Sequence, residues 1–113
     1  MKKKIKKKKQ EPVSKHKVMR ELYRNYMQFR EYVRSTGEDT IEYREVAISF
    51  HDLGMGLNEL SPRKKQAFYL NVILDKKQKD VAEIMGITTV SVGQYVEAAS
   101  KQLANIYFGE TNE

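Results

Sequence analysis

The side chains that most often carry catalysis are sparse in this chain. His16 and His51 are the only histidines, and there is no cysteine. His51 is followed directly by Asp52, but adjacent residues of a helix point in different directions, so the two would not act on one substrate atom. The sequence also has no glycine-rich phosphate loop and no quartet of metal ligands. It therefore predicts no enzyme activity, no catalytic residue, no metal site, no cofactor and no small-molecule ligand.

Lysine is the charged residue that dominates the sequence, and it is concentrated at the N-terminus. Residues 1–17 contain nine lysines against the single acid Glu11, whereas residues 18–113 contain 12 basic and 14 acidic side chains. A run of like charges repels itself and buries no apolar surface, so residues 1–16 are predicted to be a disordered tail. Lysines of this kind bind nucleic acid phosphates by releasing counterions. A solubilising tail or a spacer is the alternative.

Membrane and export signals are not visible in the sequence. The apolar runs are only a few residues long, far short of the roughly 20 needed to span a bilayer. No apolar segment of the kind found in a secretory signal follows the basic N-terminus. The lack of cysteine is compatible with a reducing compartment. We therefore expect a cytoplasmic protein without membrane contact.

Residues 79–103, KDVAEIMGITTVSVGQYVEAASKQL, show the pattern of a helix-turn-helix. Ala82 is small enough to let a second helix cross the first closely. Gly86 can adopt the left-handed conformation that reverses the chain. Val92 then provides the apolar contact that fixes the second helix to the first. A second helix of this kind usually enters the DNA major groove.

Other helices are predicted on the N-terminal side of this unit. Apolar and aromatic residues recur at three- and four-residue steps over residues 17–35, and Gly37 would end that helix. Asp39 or Thr40 could cap the next helix, since residues 41–59 also look helical. The glycines at 54 and 56 would leave that segment either one flawed helix or a helix plus a turn. Ser61 and Pro62 are typical of a further helix start, with the helix running to about Ile73.

No segment alternates for long enough to predict a strand, so the fold class is predicted to be all-α. We expect a small helical domain with a C-terminal helix-turn-helix, preceded by one or two helices and the basic tail. The predicted organisation is a tail over residues 1–16, a helical adaptor or partner-binding segment over 17–59, and the helix-turn-helix domain over 60–108.

Residues 60–103 resemble region 4 of bacterial sigma-70 family sigma factors. The recurring features are a Leu-Ser-Pro-Arg helix start, a glutamine before the acidic residue of a short helix, and Ala-Glu-x-Met-Gly-Ile-Thr before the second helix. A late alanine and leucine follow at Ala99 and Leu103. Residues 1–59 show no convincing resemblance to region 2, the part that melts promoters. The resemblance implies a region-4-only, sigma-like protein of the kind found in phages, mobile elements and split sigma factors.

The resemblance also implies which residues contact DNA. In region 4 the first turns of the recognition helix read the −35 promoter element, and the matching positions here are Thr89, Val90, Ser91, Gly93 and Gln94. Glutamine can pair with adenine and valine can touch a thymine methyl, but there is no arginine to bind guanine. This combination predicts weak intrinsic affinity and a preference for A·T-rich DNA.

The phosphate and polymerase contacts are predicted by the same comparison. Six cations at helix starts and in the connecting loop are candidate phosphate ligands: Arg63, Lys64, Lys65, Lys76, Lys77 and Lys79. Region 4 also binds the flap of the polymerase β subunit. The corresponding apolar positions here are Phe68, Tyr69 and Val72, for which burial in the core is the favoured alternative. The predicted partners are therefore double-stranded DNA and RNA polymerase, or a partner subunit resembling a sigma factor.

Two other functions remain open at this stage. The chain could be a protein-interaction module, such as a polymerase- or sigma-binding cofactor or antagonist, that keeps the region 4 shape without strong DNA reading. It could also be an independent, oligomeric helix-turn-helix protein, with its first helix as the dimer interface.

Overall fold

The computed structural model describes residues 15–43 and 45–109, and these residues are mainly helical, which confirms the predicted fold class. No helix within those ranges is both long enough and apolar enough to cross a bilayer. The elements are α1 (Lys15–Arg24), α2 (Tyr26–Thr36), β1 (Thr40–Tyr43), β2 (Val46–Ser49), α3 (Phe50–Asn58), α4 (Pro62–Phe68), a π-helical segment (Tyr69–Ile73), α5 (Gln78–Met85) and α6 (Thr89–Phe108).

The first predicted helix is two helices. It begins at Lys15, so Lys15 and His16 are helical rather than part of a tail, and the other residues predicted as tail lie outside the described residues. The break falls at Asn25, whose φ of −100° and ψ of 12° leave the helical region. The Asn25 side chain donates to the Glu21 carbonyl at 3.0 Å and so competes with the helical backbone bonds. Gly37, with φ of 76°, ends α2 as predicted.

The prediction that residues 41–49 are helical was wrong. β1 and β2 form an antiparallel hairpin in which Ile41 pairs with Ile48, and both side chains are buried. The chain reverses with Glu45 in a positive-φ conformation of 65°. This turn lacks the Asn-Gly or Asp-Gly pair that usually marks a hairpin, and each strand has only four residues. The alternation of apolar and polar residues along each strand was therefore too short to distinguish a strand from a helix.

The hairpin changes which residues start the following helix. Ser49 is the N-cap of α3 and accepts from the backbone N–H of Asp52 at 3.3 Å. Asp39, which was predicted to cap a helix starting near residue 41, instead contacts the other end of the hairpin. Its carboxylate accepts from the Ser49 hydroxyl and from the His51 backbone N–H. Strand pairing places Asp39 there, because its neighbour Thr40 is opposite Ser49.

Helix α3 is continuous through its two glycines, and Gly56 marks a close helix crossing. A Cβ at Gly56 would lie 2.9 Å from the Tyr107 hydroxyl and 3.1 Å from a Leu103 methyl, so any side chain here would force Tyr107 and Leu103 to shift. Tyr107 also donates a hydrogen bond to the Asp52 carbonyl. Gly56 therefore serves packing between α3 and α6 rather than a bend.

A single core joins α1 to the C-terminal helices. Tyr23 is fully buried, packs edge-on against Phe68 at 5.3 Å between ring centroids, and donates to the Leu53 carbonyl at 2.7 Å. Its burial raises the pKa of the phenol, so Tyr23 stays protonated in the fold. The core contains residues from both sides of the predicted boundary between 17–59 and 60–108. Further members of this core are Met19, Leu22, Leu57, Val72, Val81, Val92, Val96, Ala99 and Leu103.

Candidate nucleic-acid interface

The turn between α5 and α6 has the geometry predicted for a helix-turn-helix. Gly86 ends α5 with φ of 69°, in the left-handed region. The backbone N–H of Ile87 then donates to the Ala82 carbonyl at 3.0 Å and closes the turn. Ala82 and Val92 are both buried where the two helices meet. The small residue, the glycine and the apolar contact therefore act as the sequence indicated.

Thr88 begins α6 as its N-cap, again as predicted. Its hydroxyl oxygen accepts from the backbone N–H of Ser91 at 3.0 Å, and its hydroxyl proton is donated to the Ser91 Oγ at 2.9 Å. One of the otherwise unpaired N–H groups at the helix start is thereby satisfied.

Loss of this cap should destabilise the domain. We expect Thr88→Ala to lower the free energy of unfolding by about 1 kcal/mol, because the Ser91 N–H loses its acceptor. Thr88→Ser keeps the hydroxyl and should cost much less. Thermal unfolding followed by circular dichroism measures the difference. Equal effects from the two substitutions would contradict a capping role.

The five predicted base-reading residues divide into two groups in the structure. Thr89, Val90 and Gln94 are exposed, and Val90 has 70% of its surface accessible. Ser91 is half-buried and bonded to Thr88. Gly93 is also half-buried and faces α5 rather than solvent, since a Cβ there would lie 3.5 Å from the Gln78 side-chain oxygen. The outward reading surface therefore consists of a threonine, a valine and a glutamine.

Three of the predicted phosphate ligands lie beside this surface. Lys76, Lys77 and Lys79 are exposed at the start of α5. The loop that carries them is fixed, because the Lys76 N–H donates to the Leu70 carbonyl at 3.0 Å and the Asn71 amide donates to the Lys76 carbonyl at 2.8 Å. Gln78, between these lysines, lies against Gly93 of α6. The segment that carries these three cations therefore packs against α6 at Gly93, next to Gln94 in the sequence.

The other three predicted phosphate ligands lie at the opposite end of α6. Lys64 donates to the side-chain oxygen of Gln102 at 3.1 Å, and Lys65 donates to that of Asn58 at 2.9 Å. Gln102 is thirteen residues beyond Thr89, which is about 20 Å along a helix. Arg63 is exposed in the same first turn of α4. The structure therefore does not bring this group together with the reading surface.

A charged cluster, which the sequence alone did not indicate, ties α1 to α6. Arg20 donates to the Glu97 carboxylate at 2.9 Å and to the Ser100 hydroxyl at 3.4 Å, and His16 lies 3.1 Å from the same carboxylate. Lys101 is 3.7 Å from Glu97, one turn further along α6. The hydrogen bond from Arg20 is the main reason that the pKa of Glu97 is lowered. The four-residue spacing of Glu97 and Lys101 was the only visible signal, because the partners from α1 are distant in sequence.

The three positions predicted for polymerase contact differ in exposure. Phe68 and Val72 are fully buried, so they belong to the core, which was the alternative considered for these positions, and neither is a contact surface. Tyr69 is 39% exposed and lines a surface groove. Other aromatic and apolar side chains in that groove are Tyr26, Phe50, Met55 and Leu57.

The described residues contain no group of three or more His, Asp and Glu side chains arranged to hold a metal ion. The site instead combines an exposed, uncharged start of α6 with three exposed lysines at and just before the start of α5. That combination suits contact with base edges and with phosphates.

Comparison with known proteins agrees with this geometry. Residues 50–103 match the family model described as Sigma-70, region 4. The match begins at the first residue of α3 and covers the helix-turn-helix. No curated protein and no solved structure matches the chain. Residues 50–103 therefore form a helix-turn-helix domain similar to region 4 of sigma-70 factors.

Proposed function

We propose that this protein is a transcription regulator that acts with bacterial RNA polymerase at promoter DNA. The observation that supports the proposal is an exposed start of α6, at Thr89, Val90 and Gln94, in a domain similar to region 4. Three exposed lysines precede or begin α5, which packs on α6 through Gln78: Lys76, Lys77 and Lys79. A helix start flanked by cations combines base reading with positioning on the phosphates.

In this proposal the start of α6 enters the major groove. Gln94 pairs with an adenine edge, Val90 packs on a thymine methyl, and Thr89 bonds a base or a phosphate. The lysines of the loop and α5 bind phosphates of the strand beside the groove. Because the reading surface lacks an arginine, it cannot make the common bidentate contact to guanine. The interface therefore favours A·T-rich sites and binds them weakly by itself.

Charge distribution supports this orientation on DNA. The hairpin and α3 are acidic, and phosphates would repel them. The exposed acidic side chains of that part are Glu38, Asp39, Glu42, Glu45, Asp52 and Glu59. Residues 75–83 instead have three exposed lysines against three exposed acids, Asp75, Asp80 and Glu83, so this segment is neutral overall. The domain is therefore expected to face DNA with α5 and α6 and to turn the hairpin away.

Contact with polymerase would supply the affinity that the reading surface lacks. The groove lined by Met55 and Tyr69 exposes aromatic and apolar surface and shares no residue with Thr89, Val90 or Gln94. A partner bound there would leave the reading surface accessible to DNA. When polymerase is bound at the groove, the reading surface is held at a high effective concentration near the DNA, so the weak DNA contact becomes stronger.

A gel-shift assay with promoter DNA, with and without RNA polymerase, tests the proposal. We expect a stable DNA complex only when polymerase is present. A complex with polymerase or a sigma factor that never binds DNA would favour a protein-interaction module. Tight binding of the protein alone to a palindromic site would favour an independent oligomeric regulator. Either of these results would reject the proposed function.

Gln94 is expected to determine sequence preference. Gln94→Ala should reduce discrimination at one or two base pairs by about 1–3 kcal/mol, because the bidentate amide contact to adenine is lost. Selection of binding sites from a random duplex library, in the presence of polymerase, measures the change. Gln28→Ala, an exposed glutamine on α2, is the matched control and should leave the preference intact. If Gln94→Ala also leaves the selected sequence unchanged, Gln94 is not a reader.

A further inference from the structure

We propose that α1 and the second half of α6 form a second phosphate-binding surface, here called the α1 patch, consisting of Lys17, Arg24 and Lys101. This inference rests on the proposed DNA-binding function and extends its interface beyond residues 50–103, where the family match ends. Its occupant is the DNA backbone next to the groove that α6 enters.

Helix α1 is packed firmly against the rest of the domain. Met19, Leu22 and Tyr23 of α1 are completely buried. Tyr23 also donates a hydrogen bond to the Leu53 carbonyl at 2.7 Å. The exposed side chains of α1 are therefore carried by a helix with a defined position relative to α6.

Helix α1 contacts the face of α6 that continues from the reading surface. Val90, Gln94, Glu97 and Lys101 follow one another at steps of four, three and four residues, so they share one face of the helix. Val90 and Gln94 belong to the reading surface, and Lys101 keeps 62% of its side chain exposed. A side chain of α1 that contacts Glu97 therefore lies on the continuation of the reading surface.

Helix α1 compensates the negative charge of Glu97, which would otherwise oppose phosphate binding on this face of α6. An unpaired Glu97 carboxylate would repel DNA. Arg20 binds it at 2.9 Å, and His16 and Lys101 also contact it. The hydrogen bond from Arg20 thus compensates the one acidic group on this face of α6, and the surrounding cations can then attract phosphates.

Two cations of α1, Lys17 and Arg24, are exposed to solvent. Lys17 and Arg24 are three and four residues from Arg20, so all three lie on one face of α1. Lys17 and Arg24 are exposed, whereas Arg20 is mostly covered by its contact with Glu97. Glu21 is the one acid within α1, and its carboxylate accepts from the Tyr43 hydroxyl at 2.8 Å. The outward charge of this face is therefore positive.

Distances along α6 suit a contact with the DNA backbone. Glu97 and Lys101 lie eight and twelve residues beyond Thr89, or about 12–18 Å along the helix. The major groove is about 12 Å wide. When the start of α6 occupies the groove, the α1 patch is therefore at the distance of the bordering phosphates.

The experiment is a salt titration of binding to an A·T-rich duplex, followed by fluorescence anisotropy, with the full chain. The variant combines Lys17→Gln, Arg24→Gln and Lys101→Gln. We expect the slope of log K against log salt to fall by about 2–3, since each lost phosphate contact removes about 0.9. The control combines Arg30→Gln, Arg34→Gln and Lys65→Gln, which removes the same charge from exposed positions elsewhere. Its slope should stay close to the unmodified value.

An unchanged slope in the patch variant, or an equal decrease in the control, would overturn the α1 patch. A third variant, with Lys17→Arg, Arg24→Lys and Lys101→Arg, keeps the charge and should retain the original slope. A loss of slope there would show that the substitutions act through folding, which also rejects the proposal. If the unmodified chain binds no duplex even with polymerase, the proposed function fails. If it binds and the patch variant is unaffected, only the patch is rejected.

Discussion

Replacing Lys76, Lys77 and Lys79 together with glutamine is expected to lower the affinity for duplex DNA by about 10²-fold near 0.1 M salt. The structure places these lysines at the start of α5, where Gln78 lies against Gly93 of α6. Each phosphate contact contributes about 0.9 to the salt slope, so the slope should decrease by about 2–3. Fluorescence anisotropy at several salt concentrations measures both quantities.

The matched control is the replacement of Arg63, Lys64 and Lys65 with glutamine. It removes the same net charge from the same domain, but from a helix start that contacts Gln102, which lies off the face of α6 shared by Gln94 and Lys101. Glutamine can still hydrogen-bond to Gln102 and Asn58, so the fold should be retained. We expect a change in slope well below that of the first variant. Equal decreases would mean that total charge, and not the position of the cations, controls binding.

Tyr23→Ala should be among the most destabilising single substitutions in the described part of the chain. Removing a fully buried aromatic side chain typically lowers the free energy of unfolding by about 3–5 kcal/mol. The total free energy of unfolding of a domain is only about 5–15 kcal/mol. The substitution takes away the ring packed on Phe68 and the hydrogen bond to Leu53. Chemical unfolding followed by circular dichroism measures the effect. The result tests whether α1 is an integral part of the domain.

Two tyrosine substitutions make this test specific. Tyr23→Phe removes only the hydroxyl and should cost about 1–3 kcal/mol, because the Leu53 carbonyl loses its donor in a buried setting. Tyr32→Ala, on the exposed side of α2, should change stability by about 0.5 kcal/mol or less. If Tyr23→Ala were as mild as Tyr32→Ala, α1 would be a separate segment that merely rests on the domain.

Local signals were sufficient to predict the helix-turn-helix and its boundaries. Gly86 and Gly37 adopt the positive φ angles that glycine allows most easily, and Thr88 caps the helix that follows it. Each of these features depends on residues within a few positions in the chain. Backbone sterics and a hydrogen bond over three residues are encoded where they occur, so the sequence specifies them directly.

The hairpin shows where local reasoning failed. Its two strands are short, and its turn at Glu45 has no glycine to mark it. What stabilises the hairpin is the pairing of Ile41 with Ile48 and their burial at the edge of the core. Two strands alone are marginal in water, so the surrounding helices decide this conformation.

The candidate site was partly predictable for the same reason. The sequence by itself determined the turn, the cap and the set of residues at the start of α6. Only the tertiary structure decided that Gly93 faces α5, that Lys64 lies far from the reading surface, and that Arg20 reaches Glu97. These three facts depend on which helices pack together, and packing joins Arg20 to Glu97 although they are 77 positions apart. Spacing within one helix cannot contain that information, because it describes a single element and not its neighbours.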